Sequence, residues 1–173
     1  MNILVIVAHP SLEESRANRA LIQELSPHDN IHIHDLYKEY PNWTIDIERE
    51  QQLLLKYDRI VFQFPFYWYS TPPLLKKWFD DVLTYGWAFG TGGDHLNGKE
   101  FILAITVGAS EQDYHEITVN EFLRPLEASI KYVDGIYLPS FVMYDSMEIT
   151  DEQLNLEARR YEDYIRASAE TLV

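Results

Sequence analysis

Five continuous apolar runs recur along the chain, and amphipathic stretches separate them. A short apolar run is typical of a strand that is buried on both faces of a parallel sheet. Such runs predict strands at residues 3–8, 31–36, 59–64, 101–107 and 136–142. Apolar positions at helical spacing predict helices at residues 15–25, 45–57, 72–84, 119–132 and 150–172. The alternation predicts an α/β fold, a doubly wound five-stranded parallel sheet with helices on both faces.

The expected strand order decides where a ligand would bind. Five-stranded sheets of this kind commonly have the order 2-1-3-4-5, and ligands bind beyond the carboxyl ends of strands 1 and 3, where the chain order reverses. The loops to examine are therefore residues 9–14, 65–71 and 108–114. No internal repeat, long block of one charge or flexible linker divides the sequence, so we expect residues 1–173 to form a single domain.

Charge and cysteine content exclude several classes of function. The chain has 28 acidic and 14 basic residues, a net charge of −14, which opposes binding to nucleic acid and to anionic lipid. No apolar run approaches the roughly 20 residues that span a bilayer, so we expect no membrane insertion. The absence of cysteine excludes disulfides and thiolate sites and favours the cytoplasm. The histidines lack metal-ligand spacing, and we predict no metal site.

The loop after strand 1 delivers small polar side chains to the start of the first predicted helix. His9 follows the strand, and Ser15 and Asn18 flank the helix start. Free N–H groups and the positive end of the helix dipole bind phosphate at such a position. The alternative is that Ser15 only caps the helix. No G-x-G-x-x-G motif is present, which disfavours a dinucleotide Rossmann site.

Aromatic residues cluster at the predicted switch point. Strand 3 is followed by four aromatic residues in a row: Phe66, Tyr67, Trp68 and Tyr69. A loop cannot bury four rings within itself, so we expect them to wall a flat ligand or to pack on a neighbouring element. Trp87 and Phe89 lie in a later glycine-rich segment, which we interpret as a second wall of the pocket or a subunit contact.

Tyr114 and His115 follow strand 4 and form a candidate catalytic pair. A tyrosine and a histidine can hydrogen-bond a carbonyl and share in proton transfer, because histidine titrates near neutral pH. The alternative is an exposed dipeptide without a role.

Together these segments resemble the flavodoxin-like NAD(P)H:quinone oxidoreductases, in particular the KefF and general stress protein 14 groups. The resemblance rests on Ala8-His9-Pro10, Ser15-x-x-Asn18, the aromatic and proline-rich run at residues 65–76, Gly86-Trp87-Ala88-Phe89-Gly90 and Thr106-Val107-Gly108. It implies a flavodoxin-like fold and two-electron ping-pong hydride transfer from NAD(P)H, through a flavin, to a quinone or another electrophilic acceptor. The implied flavin is FMN, with FAD as the alternative.

The resemblance also assigns roles to individual residues. Those implied to hold the flavin are His9, Ser15, Arg16, Ala17, Asn18, Phe66, Tyr67, Trp68, Tyr69, Thr106, Val107, Gly108 and Ala109. Tyr114 is implied to lie beside the flavin as a catalytic residue, with His115 as its substitute proton partner. The family is dimeric, and Trp87 and Phe89 would close the site of the partner subunit. Ala109 departs from the Thr-Thr-Gly-Gly of many relatives, and its methyl group would tighten the pocket.

Two other functions stay open beside this one. A flavodoxin-like one-electron carrier fits the size and the acidity, although the loop at residues 9–18 lacks the glycines of such carriers. A regulatory ancillary subunit of a glutathione-gated potassium efflux system would instead dock on the cytosolic domain of the transporter. The protein would then be peripheral to the inner membrane through its partner, because its charge favours a basic protein surface over lipid.

Overall fold

The computed structural model describes residues 1–173, and one parallel sheet lies at its centre. The strands are β1 (Ile3–Val7), β2 (Ile31–Asp35), β3 (Arg59–Pro65), β4 (Glu100–Thr106), β5 (Ile136–Tyr137) and β6 (Phe141–Met143). Their order is β2-β1-β3-β4-β5, and β6 also pairs with β4. β1 and β3 are buried along their whole length, which explains their unbroken apolar sequence. The predicted fold class and strand order are confirmed.

The predicted fifth strand, at residues 136–142, is wrong in one respect, because it consists of two short strands. Pro139 lies between β5 and β6 and has no N–H group to donate to a strand ladder. Tyr137 and Ser140 span the break with a side-chain hydrogen bond of 2.5 Å. β6 then pairs with the carboxyl half of β4, up to Thr106 and Met143. The split therefore carries the loop after β6 to the edge of the sheet where ligands are expected.

Helices cover both faces of the sheet. They are α1 (Arg16–Leu25), α2 (Leu36–Glu39), α3 (Ile47–Leu55), α4 (Pro73–Val82), α5 (Val119–Phe122), α6 (Arg124–Tyr132), α7 (Asp151–Arg166) and α8 (Ala169–Leu172). The predicted helices at residues 119–132 and 150–172 are each divided in two, and the short α2 was not predicted. None of the helices has the length and hydropathy that crossing a bilayer requires.

The two faces of the sheet carry separate apolar cores. Phe62 of β3 packs with Trp78 of α4 on one face, whereas Val61 shares the other core with Leu21 of α1 and Tyr161 of α7. Neighbouring residues of a strand point to opposite faces. Gln63 therefore points, like Val61, toward α1, and this polar residue lies beneath the start of that helix.

Candidate functional site

A cleft of about 650 Å³ opens at the carboxyl ends of β1, β3 and β4. Its walls are formed by His9, Ser11, Glu14, Ser15, Arg16, Ala17, Asn18, Pro65, Phe66, Tyr67, Thr106, Gly108, Ser146 and Met147. The cleft lies at the switch point that the strand order predicts. Its volume is within the range of roughly 300–1,000 Å³ that is usual for small-molecule sites.

The start of α1 supplies hydrogen-bond donors to one end of the cleft. Ser15 is the N-cap, and its hydroxyl oxygen accepts from the backbone N–H of Asn18 at 3.2 Å. Helix geometry leaves the N–H groups of Arg16 and Ala17 without an intrahelical acceptor, and these N–H groups can bind an anion. The Arg16 guanidinium instead contacts Asp151 at 3.2 Å and donates to the carbonyl of Ile149. The backbone, more than this guanidinium, is therefore open to an anion.

His9 forms a neutral part of the same wall. Burial lowers its pKa, and the charge of Asp35 opposes this only in part, so the ring is uncharged at neutral pH. Its Nδ1 lies 3.1 Å from the N–H of Ser11 and must accept from it. The ring proton is therefore on Nε2, which makes His9 a hydrogen-bond donor through that atom.

A buried polar network lies beneath the cleft and joins α1 to β3 and β4. Asn18 Nδ2 donates to Ser15 Oγ at 3.2 Å and to Thr106 Oγ1 at 3.0 Å. Gln63 Nε2 donates to Asn18 Oδ1 at 3.1 Å and to the Asn18 carbonyl at 3.2 Å, while Gln63 Oε1 is buried without a partner. Sequence reasoning missed Gln63, although a polar residue within the apolar run RIVFQF is a visible signal.

The aromatic segment after β3 forms a tight hairpin. Tyr67 and Ser70 exchange two backbone hydrogen bonds of 3.0 Å, and between them Trp68 and Tyr69 have φ values of 47° and 62°. Turns of this kind normally use Asn-Gly, because bulky residues are strained at positive φ. The Trp68 side chain is nevertheless 92% exposed. Packing within this chain therefore does not hold the Trp68 ring, whereas Tyr69 contacts Phe66 and Phe122.

A smaller hollow of about 260 Å³ lies beside the cleft, separated from it by Phe66. It is lined by Tyr69, Ala109, Asp113, Tyr114, Glu116, Ile117 and Phe122. Tyr69 stacks on Phe122 with ring centroids 4.8 Å apart. Burial, with Tyr69 and Asp113 nearby, raises the pKa of Tyr114. The Tyr114 hydroxyl is therefore protonated at neutral pH and available as a donor.

The structure does not bring all of the predicted site residues together: Trp68 lines neither cavity, and Tyr69 and Ala109 line only the smaller hollow. Val107 is buried in the core. His115 is exposed, with Nδ1 3.0 Å from the carbonyl of Gln112, and lies outside both cavities. Trp87 and Phe89 lie in the segment between α4 and β4. In a parallel sheet that segment is at the amino ends of the strands, so both residues are remote from the cleft of their own chain.

The loop after β6 supplies a wall that the sequence did not indicate. Ser146 donates its N–H to the carbonyl of Val107, and this places Met147 over the cleft with 80% of the residue exposed. A β-carbon added at Gly108 would lie 3.1 Å from Met147 Sδ. The close approach explains why glycine fits at this position. No motif marks residues 144–149, so sequence reasoning had no signal there.

The comparisons with known proteins agree with this geometry. A family model described as a flavodoxin-like fold matches residues 1–165. A Bacillus subtilis protein described as an uncharacterized NAD(P)H oxidoreductase, YrkL, is 50% identical, covering 96% of this chain and 99% of that protein. The ancillary protein KefF of a glutathione-regulated potassium-efflux system in Salmonella newport is 38% identical, covering 95% and 96%. The resemblance stated from the sequence is confirmed.

Solved structures are similar over nearly the whole chain. General stress protein 14 from Treponema denticola, solved with FMN, is 37% identical with a TM-score of 0.91, covering 100% of both chains. An NADPH-quinone reductase from P. pentosaceus is 31% identical with a TM-score of 0.89, covering 97% and 99%. A chain described as a thermophilic tryptophan halogenase from Streptomycin violaceusniger is 45% identical with a TM-score of 0.93, covering 95% and 99%. The other four proteins do not share the halogenase description.

Proposed function

The chain belongs to this flavodoxin-like family, and we propose that it is an FMN-dependent NAD(P)H oxidoreductase that reduces a quinone or a related electrophilic acceptor. The observation that carries the proposal is the cleft at the switch point, which has a helix N-terminus at one end and an aromatic hairpin at the other. The descriptions of similar proteins as an NAD(P)H oxidoreductase, an FMN complex and an NADPH-quinone reductase support it.

The residues present fit FMN. The phosphate would be held by the N–H groups of Arg16 and Ala17, the Ser15 hydroxyl and the His9 ring, because each of these groups can donate a hydrogen bond into the cleft. The isoalloxazine ring of the flavin would be held at the end of the cleft away from α1. The residues proposed to hold it lie at the strand ends and in the hairpin: Phe66, Tyr67, Trp68, Tyr69, Thr106, Gly108 and Ala109. An apolar, planar ring system suits these exposed aromatic side chains.

The side chains would bind the flavin and orient the acceptor, whereas the flavin would supply the redox chemistry. A bound FMN would supply hydride transfer between NAD(P)H and the acceptor, which is chemistry that no side chain of this chain provides. Tyr114 faces the hollow beside the cleft and donates from its protonated hydroxyl to a carbonyl of the acceptor. The rings of Phe66 and Tyr69, with centroids 6.1 Å apart, border this position. His115 has no part in the proposed site, because it contacts neither cavity.

We place the protein in the cytoplasm as a homodimer. Trp87 and Phe89 cannot reach the cleft of their own chain, so they would close the site of a second copy. Aromatic residues are exposed around them, with Tyr85 68% and Tyr132 70% exposed, and Phe89 contacts both. An exposed aromatic patch of this kind favours a protein interface. Sedimentation velocity of the wild type and of Trp87→Ala tests the assembly: loss of the dimer in the variant supports it, and a monomeric wild type contradicts it.

Flavin titration and turnover test the function directly. FMN added to ligand-free protein should be bound with quenched fluorescence, and the holoprotein should oxidise NADPH or NADH when menadione is supplied. Tyr114→Phe should lower kcat and leave FMN affinity unchanged, because only the donor to the acceptor is lost. Tyr57→Phe, far from the cleft, is the matched control. A wild type that binds neither FMN nor FAD would refute the proposed function.

A regulatory role is the second candidate, and the similarity to KefF favours it. The net charge of −14 suits a basic protein surface, as the cytosolic domain of a transporter could offer. Co-purification with such a domain that is lost at high salt would support this role. FMN binding without turnover would favour it over the oxidoreductase.

A further inference from the structure

We infer that Gln63 is a positioning residue that sets the direction of the hydrogen bonds in the cleft. Acting through Asn18, it makes the hydroxyls of Ser15 and Thr106 donors to a bound ligand. The inference rests on the proposed flavin site and adds a residue that touches no ligand itself. It follows from five hydrogen bonds whose direction the chemistry of their atoms decides.

The side-chain amide of Gln63 has one possible orientation. One of its terminal atoms lies 3.2 Å from the backbone carbonyl of Asn18. A carbonyl oxygen can only accept, so that terminal atom must be the NH₂ group. The second hydrogen of this group then points to the Asn18 side chain, 3.1 Å away.

The side-chain amide of Asn18 is oriented by Gln63. Because Gln63 donates, the Asn18 atom that faces it must be the oxygen. The Asn18 NH₂ group therefore faces Ser15 Oγ at 3.2 Å and Thr106 Oγ1 at 3.0 Å, and each of its two hydrogens has one acceptor. Asn18 is 1% exposed, so water cannot offer an alternative arrangement.

The orientation of Asn18 in turn sets the direction of the two hydroxyl groups. Ser15 Oγ accepts from both the N–H and the Nδ2 of Asn18, which occupies both of its lone pairs. Its own hydrogen must point elsewhere, and no group of the chain accepts it. Thr106 Oγ1 likewise accepts from Asn18 and donates to no group of the chain. Both residues line the cleft, so the hydroxyl group of each can donate a hydrogen bond to a ligand there.

The consequence is selectivity for ligand groups that only accept hydrogen bonds. An ionised phosphate beside Ser15 is such a group, and Thr106 suits a carbonyl or an unprotonated ring nitrogen. Gln63 Oε1 stays buried without a partner, which is unfavourable for folding. Packing alone would therefore be served better by an apolar residue of similar length. The donated hydrogens of Gln63 account for an amide at this position.

Substitution of Gln63 by glutamate or by methionine separates this role from packing. At a pH that ionises the new carboxyl group of Gln63→Glu, the carboxylate cannot donate, so the Asn18 amide turns round and both hydroxyls donate inward to it. FMN should then bind about tenfold to hundredfold more weakly. The affinity for riboflavin, which has no phosphate, should fall by a smaller factor. Gln63→Met has similar length and no charge, and its FMN affinity should fall between the wild type and Gln63→Glu. A packing role predicts the reverse order, since glutamate has the shape of glutamine.

A double-mutant cycle with Ser15→Ala gives the decisive measurement. Ser15→Ala should weaken FMN binding about tenfold in the wild-type background. In the Gln63→Glu background it should weaken binding about twofold at most, because the Ser15 hydroxyl there no longer faces the ligand. Lowering the pH should restore FMN affinity of Gln63→Glu relative to the wild type, because the protonated carboxyl can donate. Equal effects of Ser15→Ala in both backgrounds would overturn the inference. Failure of the wild type to bind FMN would overturn the proposed function instead, and circular dichroism confirms that each variant is folded.

Discussion

Two buried polar networks lie on opposite faces of the sheet, and they end differently. On the face of α3 and α4, Glu50 is fully buried and accepts from His34 at 2.9 Å, Tyr40 at 2.6 Å and Trp78 at 2.7 Å. That network is closed, because its donors converge on one carboxylate away from the cleft. The network around Gln63 is open, because it ends on hydroxyls that line the cleft. A closed network contributes to stability, whereas an open one leaves donors for a ligand.

Removing the centre of the closed network should have the largest effect on folding. In Glu50→Ala, three buried donors lose their acceptor at once, and we expect a loss of about 3–5 kcal/mol in the free energy of unfolding. Urea denaturation followed by circular dichroism measures it. FMN affinity of the folded fraction should be unchanged, because no member of this network lines the cleft. If folded Glu50→Ala bound FMN more weakly than the wild type, the closed network would also support the cleft, and the distinction between the two networks would be wrong.

The closed network should also give stability a defined pH dependence. Burial alone would raise the pKa of Glu50, but the hydrogen bonds from His34, Tyr40 and Trp78 outweigh it and lower the pKa below 4.5. A lowered pKa in the folded state stabilises the protein above the unfolded pKa, and the contribution is lost as the pH falls through the folded value. The stability difference between the wild type and Glu50→Gln should therefore shrink below about pH 4.5. A difference that stays constant down to pH 3 would contradict this.

Relieving backbone strain in the hairpin should raise the stability of the ligand-free protein and weaken its binding of FMN. Trp68→Asn with Tyr69→Gly places the preferred residues in the hairpin, and we expect ligand-free protein to gain about 1 kcal/mol. FMN should bind about tenfold more weakly, because the exposed rings are lost. Trp43 also has a positive φ, of 61°, and lies outside the hairpin and outside the walls of both cavities. Trp43→Asn is therefore the matched control, which should relieve strain and leave FMN affinity unchanged; an equal loss of affinity in both would contradict a ligand role for the hairpin.

The sequence predicted what depends on neighbouring residues and missed what depends on distant ones. β1, β3 and β4 were predicted because burial on both faces leaves an unbroken apolar run, and their order located the cleft. The open network was missed because Gln63 lies 45 positions from Asn18, which lies 88 from Thr106. Each residue alone has an ordinary explanation in its own element. Only the folded sheet places an amide of β3 against a helix cap and a strand end.

The smallest expected effect concerns the wall that Gly108 and Met147 form. In Gly108→Ala, the new β-carbon would lie 3.1 Å from Met147 Sδ, and the flexible thioether can move by the few tenths of an ångström required. We expect FMN to bind about two- to threefold more weakly, because the displaced side chain narrows the cleft. Met147→Ala in the same chain should restore the affinity, which FMN titration of the four proteins in the cycle measures. If Met147→Ala instead lowers the FMN affinity further, Met147 contacts the ligand directly. This wall would then take part in ligand recognition, as we infer for the hydroxyls of the open network.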